Sequence, residues 1–431
     1  MFGAEVLGTM NRTRMTETRL IGRNGTTDAP GRKPLRALMI AFLALLLVAG
    51  CTPAGRQAGG VGGDGTASAG GMAGGVDRAA GAGGEIRRRA LTIALDDTWS
   101  SAAELTYPAE GEGPWPAVIL FHGSGVMDMD ATNVDATGQV VSANFRMLAE
   151  RLSQSGYAVL RFHKRGVKRL GDYDLEQAYR ATTNQLIADA ARVIAAAREQ
   201  PEVDGGRLYL YGWSQGAQVA AHAALADPDV AGVILQGPPT RGWPETLRYQ
   251  HLTLGLRLLG EVDEDGDGKL SVREWLAVPA GPAALMGSFY VWAPDSTPWA
   301  PKMRPDTDRD GDGLIDLEAE LRPAIEALIA NPGVNPMMHP ANEPAASLAE
   351  IAPDLRRPVL ILHGEQDGFV PVEDGEAIAA AAPDTVTLRR FPGLGHALSP
   401  TEDPARDGFG PMDEQAVVAL LEWLGEQTGG R

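Results

Sequence analysis

Apolar residues in this chain fall into short continuous runs, and the stretches between the runs space their apolar positions at helical intervals. Ala117-Val118-Ile119-Leu120-Phe121 contains no polar residue, the composition of a strand covered on both faces. Residues 145–155 then show helical spacing, and 157–162 read as a second strand. A long alanine-rich helix is expected over 175–200, a strand over 208–211, an alanine-rich helix over 217–225 and a strand over 230–237. After an interruption the alternation resumes with strands at 358–364 and 386–391. Parallel neighbours need a crossover, so strands that alternate with helices predict a mostly parallel, doubly wound α/β sheet.

Two regions break the pattern. From 51 to about 85 the chain is almost wholly glycine, alanine and small polar residues. Such a segment buries too little apolar surface to offset its entropy, so a disordered tether with a reach on the order of 30 Å is expected. The stretch 240–355 is rich in proline, tryptophan and methionine and reads as an insertion between two parts of one core, 86–239 and 356–431.

Ahead of the tether, Arg32, Lys33 and Arg36 precede an apolar stretch over 37–48 that ends in Val48-Ala49-Gly50-Cys51. A basic flank, a short apolar core and small residues before a cut site describe a signal peptide over 1–50, with Met10 or Met15 as alternative starts. The cut site resembles the lipobox of bacterial lipoproteins, which implies that Cys51 carries the lipid and becomes the new N-terminus. Cys51 is the one cysteine in the chain, so an internal disulfide is excluded. The expected location is extracytoplasmic and lipid-anchored to the cell envelope, at the outer membrane of a Gram-negative cell because Thr52 is not aspartate. A net charge of −18 argues against nucleic acid as a partner and favours cations.

The chemistry is carried by Gly212-Trp213-Ser214-Gln215-Gly216, which follows a strand and opens a helix. That context is the one a nucleophile elbow requires: a serine on a tight turn, with glycines where strand and helix pass too closely for side chains. Asp367 follows the strand at 358–364, and His396 lies in the loop after the strand at 386–391. Acyl transfer by a serine needs a base, for which His396 is the candidate, and a group to orient that base, for which Asp367 is the candidate. Asp374 is a possible substitute acid further from the strand end, while His122 and His363 read as structural. The oxyanion needs pre-aimed donors, expected from the peptide N–H groups of Gln215 and Ser124.

The order Ser214, Asp367, His396, with His122-Gly123-Ser124-Gly125 after the first strand, resembles the α/β-hydrolase family from about residue 116 onward, the insertion excluded. Met127-Asp128-Met129-Asp130 and Phe162-His163-Lys164-Arg165-Gly166 look like a bacterial esterase branch near the dienelactone hydrolases and prolyl-oligopeptidase-type peptidases. Branch members often read Gly-Ser-Gly-Pro-Gln-Asp-Arg-Asp and Asp-Asp-Arg-Gly at these places, so the match is partial. The resemblance implies an α/β-hydrolase fold and a lid built by the insertion.

Within the insertion, Asp263, Asp265, Asp267, the Lys269 carbonyl, Ser271 and Glu274 match the twelve-residue EF-hand loop, with Gly268 at its sharp turn. Asp308, Asp310, Asp312 and Asp316 repeat the pattern, but position twelve is Ala319, with Glu318 or Glu320 as alternatives. Leu270 and Ile315 hold the eighth position, through which paired loops meet. Structural Ca2+ and no organic cofactor are therefore expected. The leading expectation is a serine hydrolase, a carboxylesterase acting on small or medium acyl esters. The alternatives are a peptidase or acylaminoacyl hydrolase acting on amides, or a calcium-dependent surface binding lipoprotein with a vestigial site.

Overall fold

Along the strand Trp115–Phe121, Ala117, Ile119 and Phe121 belong to one buried cluster while Val118 and Leu120 belong to another. A strand turns successive side chains to opposite faces, so this division defines a sheet with a hydrophobic layer on each side. The computed structural model describes residues 84–429 except 136, 137, 294, 298, 299, 336, 337, 340–343 and 345. The signal peptide, Cys51 and nearly all of the tether lie outside the described residues.

Eight described strands form the main sheet. They are β1 (Ile86–Ala94), β2 (Ser100–Pro108), β3 (Trp115–Phe121), β4 (Ala158–Phe162), β5 (Val203–Trp213), β6 (Val230–Gln236), β7 (Val359–Gly364) and β8 (Val386–Phe391). Their order is β1-β2-β4-β3-β5-β6-β7-β8. β2 runs antiparallel to both β1 and β4, and all other pairings are parallel. The α2 (Thr183–Arg198), α3 (Gln215–Ala226) and α4 (Val372–Ala381) helices cover one face, through residues such as Val193, Ala220 and Ile378. The α1 (Asn144–Gln154) and α5 (Glu414–Thr428) helices cover the other with Phe145, Leu148, Leu420 and Trp423.

Two elements differ from the sequence reading. The β1–β2 hairpin was not anticipated, because β1 is an edge strand with Arg87, Arg88 and Arg89 in succession and buries Ile93 alone. Those charges suit an edge that must resist pairing with another chain, and Arg88 and Arg89 are tied to Glu104, Glu150 and Glu202. The helix expected over 175–200 is two helices, Leu175–Arg180 and Thr183–Arg198. Ala181 is extended between them, and the Thr182 hydroxyl accepts from the Gln185 N–H to cap the second.

The insertion between β6 and β7 has its own apolar cluster, with Leu258, Leu259, Leu270, Trp275, Met286, Ile315 and Leu321 buried together. Leu256–Val262 leads into the first acidic loop and Val272–Ala277 leaves it. Short strands Lys269–Ser271 and Leu314–Asp316 pair antiparallel, setting Leu270 opposite Ile315 with both side chains fully buried. The two loops thus meet through their apolar eighth positions.

Candidate active site

β5 ends at Trp213 and α3 begins at Gln215, leaving Ser214 alone at the turn with φ 56° and ψ −120°. A non-glycine residue at positive φ is strained. The strain is held by close packing: a Cβ on Gly212 would lie 2.1 Å from the Gly216 carbonyl oxygen, and one on Gly216 would lie 2.2 Å from that of Phe121. Ser214 also donates its N–H to the Gln236 carbonyl at 2.9 Å, fastening the turn to the neighbouring strand.

Asp367 follows β7 and is buried. Its Oδ1 accepts the N–H groups of Phe369 and Val370 at 2.8 and 2.7 Å, and its Oδ2 lies 2.7 Å from Nδ1 of His396. Nε2 of His363 approaches the same Oδ2 at 3.4 Å while meeting the Val370 carbonyl at 2.9 Å. Burial opposes ionisation of Asp367, but the two histidines outweigh it and hold the carboxyl below the usual range.

His396 is held on three sides. Its carbonyl accepts from Trp213 Nε1 at 3.1 Å and Gln236 Nε2 at 2.9 Å, and its peptide N–H donates to Asp407 Oδ2 at 2.7 Å. Its ring lies between those of Phe369 and Trp213, at centroid distances of 5.3 and 5.7 Å. Burial penalises the imidazolium, yet Asp367 and then Asp407 outweigh that penalty and raise the pKa above 6.5. With Nδ1 committed to Asp367, Nε2 is the ring nitrogen left for proton transfer.

Ser214 and His396 both line a cavity of about 460 Å³, together with Gly123, Ser124 and Gln215. The core supplies Trp213, Phe369 and Phe409 to its wall, and the insertion supplies Trp243, Leu285 and Phe289. The insertion therefore shares the cavity with the serine. Among the described residues, nothing accepts a hydrogen bond from the Ser124 N–H.

Residues 116–403 match the family model of the alpha/beta hydrolase fold. The chain belongs to the α/β hydrolase fold family. It is 34% identical over 168 residues to Esterase EstD of Thermotoga maritima, covering 37% of this chain and 36% of that protein. It is 27% identical over 202 residues to Quorum-quenching protein AidA of Acinetobacter baumannii, covering 46% of this chain and 61% of that protein. The matches thus span less than two thirds of either relative. Among solved structures, a proline iminopeptidase of Mycobacterium smegmatis aligns with a TM-score of 0.48 at 17% identity, over 79% of this chain and 98% of that one.

Asp374 in this α/β hydrolase does not approach His396. Its carboxylate accepts from the Thr240 N–H at 2.8 Å and from Arg241 Nε at 2.5 Å, which fastens the chain where it leaves the core for the insertion. His122 packs on the rings of Phe145 and Phe162, and burial pushes its pKa down to about 3, so it is neutral. Of the described tryptophans in the insertion, Trp243 lines the cavity, whereas Trp275 and Trp292 pack edge to face against each other. Asp407 escaped sequence reading, since a buried carboxyl that binds peptide N–H groups leaves no motif.

In the acidic loops, one carboxylate oxygen from each of Asp263, Asp265 and Asp267 lies within 4.8 Å of the others, and Asp308, Asp310 and Asp312 repeat the arrangement. Backbone shape repeats too, with φ 72° at Gly266 and Gly311, and 81° and 79° at Gly268 and Gly313. All-oxygen donor sets of this kind fit calcium. Glu274 accepts from the N–H groups of Glu264 and Ser271 at 3.0 and 2.8 Å, and Glu320 does the same with Arg309 and Asp316 at 2.8 and 3.0 Å. Leu317–Leu321 is wound as a π-helix, and this wider turn absorbs the extra residue that puts Glu320 at position thirteen. Glu318 instead pairs with Arg322 on the surface, and Lys269 Nζ lies 2.7 Å from Asp312 across the loop pair.

Proposed function

We propose that this α/β hydrolase is an extracytoplasmic serine hydrolase that cleaves small or medium carboxylic esters through an acyl-enzyme. The observation that carries this reading is the 2.7 Å contact between His396 and Asp367 at the cavity where Ser214 is held at φ 56°. In the first step Ser214 Oγ attacks the ester carbonyl carbon as its proton passes to His396 Nε2, and Asp367 stabilises the imidazolium. The peptide N–H groups of Ser124 and Gln215 receive the oxyanion. His396 then returns the proton to the departing alcohol, and water repeats the sequence to release the acid. The apolar walls contributed by Trp213, Phe369 and Phe409 suit an acyl chain rather than a charged substrate.

The names of the two relatives, an esterase and a quorum-quenching protein, are consistent with this chemistry in the first case and leave the substrate open in the second. Turnover of p-nitrophenyl esters by the wild type and by Ser214→Ala tests the reading, with a fall of about 10³-fold or more expected. An active Ser214→Ala enzyme, or a wild type that turns over aminoacyl anilides but no ester, contradicts it.

Two further parts belong to the same reading. Asp263, Asp265, Asp267, Lys269, Ser271 and Glu274 would hold one calcium ion, and Asp308, Asp310, Asp312 and Asp316 with Glu320 a second. When bound, calcium supplies neutralisation of the clustered aspartates, which orders the lid. A lipid on Cys51 would tether the enzyme to the envelope, and Cys51→Ala would then move it from the membrane fraction to the soluble one.

A further inference from the structure

Phe162-His163-Lys164-Arg165-Gly166 leaves the end of β4 beside the loop that follows β3, and each of its three basic side chains has a defined hydrogen-bond partner. His163 Nδ1 accepts from the Met129 N–H at 3.0 Å, and Arg165 grips Asp189 with Nε and an Nη at 2.8 and 2.6 Å. Lys164 differs from Arg165 in its counter-charge. It is 8% exposed, and among the described residues no carboxylate lies within ion-pair distance of its ammonium. Its Nζ donates instead to the Gly123 carbonyl at 2.6 Å and to the Gln215 side-chain oxygen at 2.8 Å.

Those two acceptors belong to the two chain segments that meet at Ser214, the loop after β3 and the first turn of α3. The Gly123–Ser124 peptide is trans, and in a trans peptide the C=O and the N–H point in opposite directions. A cation that fixes the Gly123 oxygen on one side therefore turns the Ser124 N–H to the other. That N–H has no acceptor among the described residues, and Ser124 lines the cavity beside Ser214. A charge bound to the carbonyl also polarises the peptide and strengthens its N–H as a donor. The backbone of Lys164 donates to the Met127 carbonyl at 3.4 Å, so the loop is fastened at a second point.

We infer that Lys164 is a positioning residue of the oxyanion hole, in which one buried ammonium locks the Gly123–Ser124 peptide and the Gln215 side chain so that both N–H donors face the reacting carbonyl. The inference rests on the proposed serine-hydrolase reading. Leaving a cation buried without a counter-charge is costly, so burial pushes the Lys164 pKa down to about 7, and near that pH the amine donates both hydrogen bonds with or without its charge. Holding an oxyanion loop in place gives that cost a function.

The test compares wild type, Lys164→Met and Gln215→Leu by steady-state hydrolysis of p-nitrophenyl butyrate and by inhibition with phenylboronic acid, which forms a tetrahedral anion on an active-site serine. Deleting an oxyanion donor outright costs roughly 10²- to 10³-fold, so a misdirected donor is expected to cost about 10- to 10²-fold in kcat with KM changed by less than about 3-fold. Boronate affinity is expected to weaken by a similar factor. Gln215→Leu removes one arm of the clamp while keeping its own N–H, and is expected to lose roughly 10-fold; it decides the matter if Lys164→Met does not fold. Unchanged kcat and boronate affinity in a folded variant, or a loss confined to KM, overturns the inference. A wild type without esterase activity overturns the parent reading instead.

Discussion

The peptide N–H of His396 donates to Oδ2 of Asp407 at 2.7 Å, so the candidate base is held from behind by a second buried carboxyl as well as flanked by Asp367. The same Oδ2 accepts the Gly368 N–H at 2.9 Å, joining the loop of the acid to the loop of the base. Burial, and then the negative charge of Asp367, push the Asp407 pKa up to about 7.

A carboxyl with a pKa higher in the folded than in the unfolded chain binds its proton more tightly when folded. Its favourable contribution is present at low pH and is lost as pH rises from the ordinary carboxyl range, about 3.9, toward 7. Asp407→Asn cannot ionise, so its Tm relative to wild type should be higher at pH 8 than at pH 5. Thermal melts at both values check this, and an equal difference at both contradicts it. Asp407→Ala, which releases both N–H groups, should lose about 10-fold in kcat or more through a displaced imidazole.

His396 must be neutral to accept the serine proton. Because Asp367 outweighs burial and raises the His396 pKa above 6.5, kcat/KM should fall on the acid side with a midpoint above that value. Asp367→Asn should move the midpoint downward and lower kcat by roughly 10³- to 10⁴-fold. A pH profile of each enzyme decides, and an unshifted midpoint in the variant would show that the carboxylate does not set it.

Gly237 sits at φ 50°, and a Cβ there would lie 2.8 Å from His396 Nδ1 and 3.1 Å from Asp367 Oδ2. Gly237→Ala should therefore push the acid and base apart and cost about 10²-fold in kcat. Kinetics of a variant shown to be folded by circular dichroism check this; near-wild-type turnover would mean that the pair tolerates displacement.

The parts of this site that were legible in the sequence are those where local geometry demands a residue type. Gly212 and Gly216 stand where any Cβ would strike backbone, and Leu270 and Ile315 recur at one position of two similar loops and meet in the structure. The doubly wound order followed from buried strands such as β3 and β7. Asp407 and Lys164 were not legible, because their partners are distant in sequence: Asp407 binds the peptide N–H groups of Gly368 and His396, and Lys164 binds the Gly123 carbonyl and the Gln215 side-chain oxygen. The choice between Glu318 and Glu320 stayed open because it depends on a π-turn that no residue type announces. The β1–β2 hairpin was missed because an edge strand needs little apolar surface.

If calcium orders the lid, chelation should lower Tm and added Ca2+ should restore it, by an amount that grows with concentration. Glu320→Gln should shrink that response while Glu318→Gln leaves it intact, since Glu320 faces the second loop and Glu318 pairs with Arg322 outside it. Melts in EDTA and in Ca2+ for the three proteins check this, and equal responses in all three would remove Glu320 from the site.

The most direct test of the central claim is intact-mass analysis after reaction with a fluorophosphonate. One adduct per wild-type chain, located on Ser214 by peptide mapping and absent from Ser214→Ala, is the expected result. Wild-type protein that takes no adduct, or a Ser214→Ala variant that labels as fast as wild type, would contradict the assignment of Ser214 as the nucleophile.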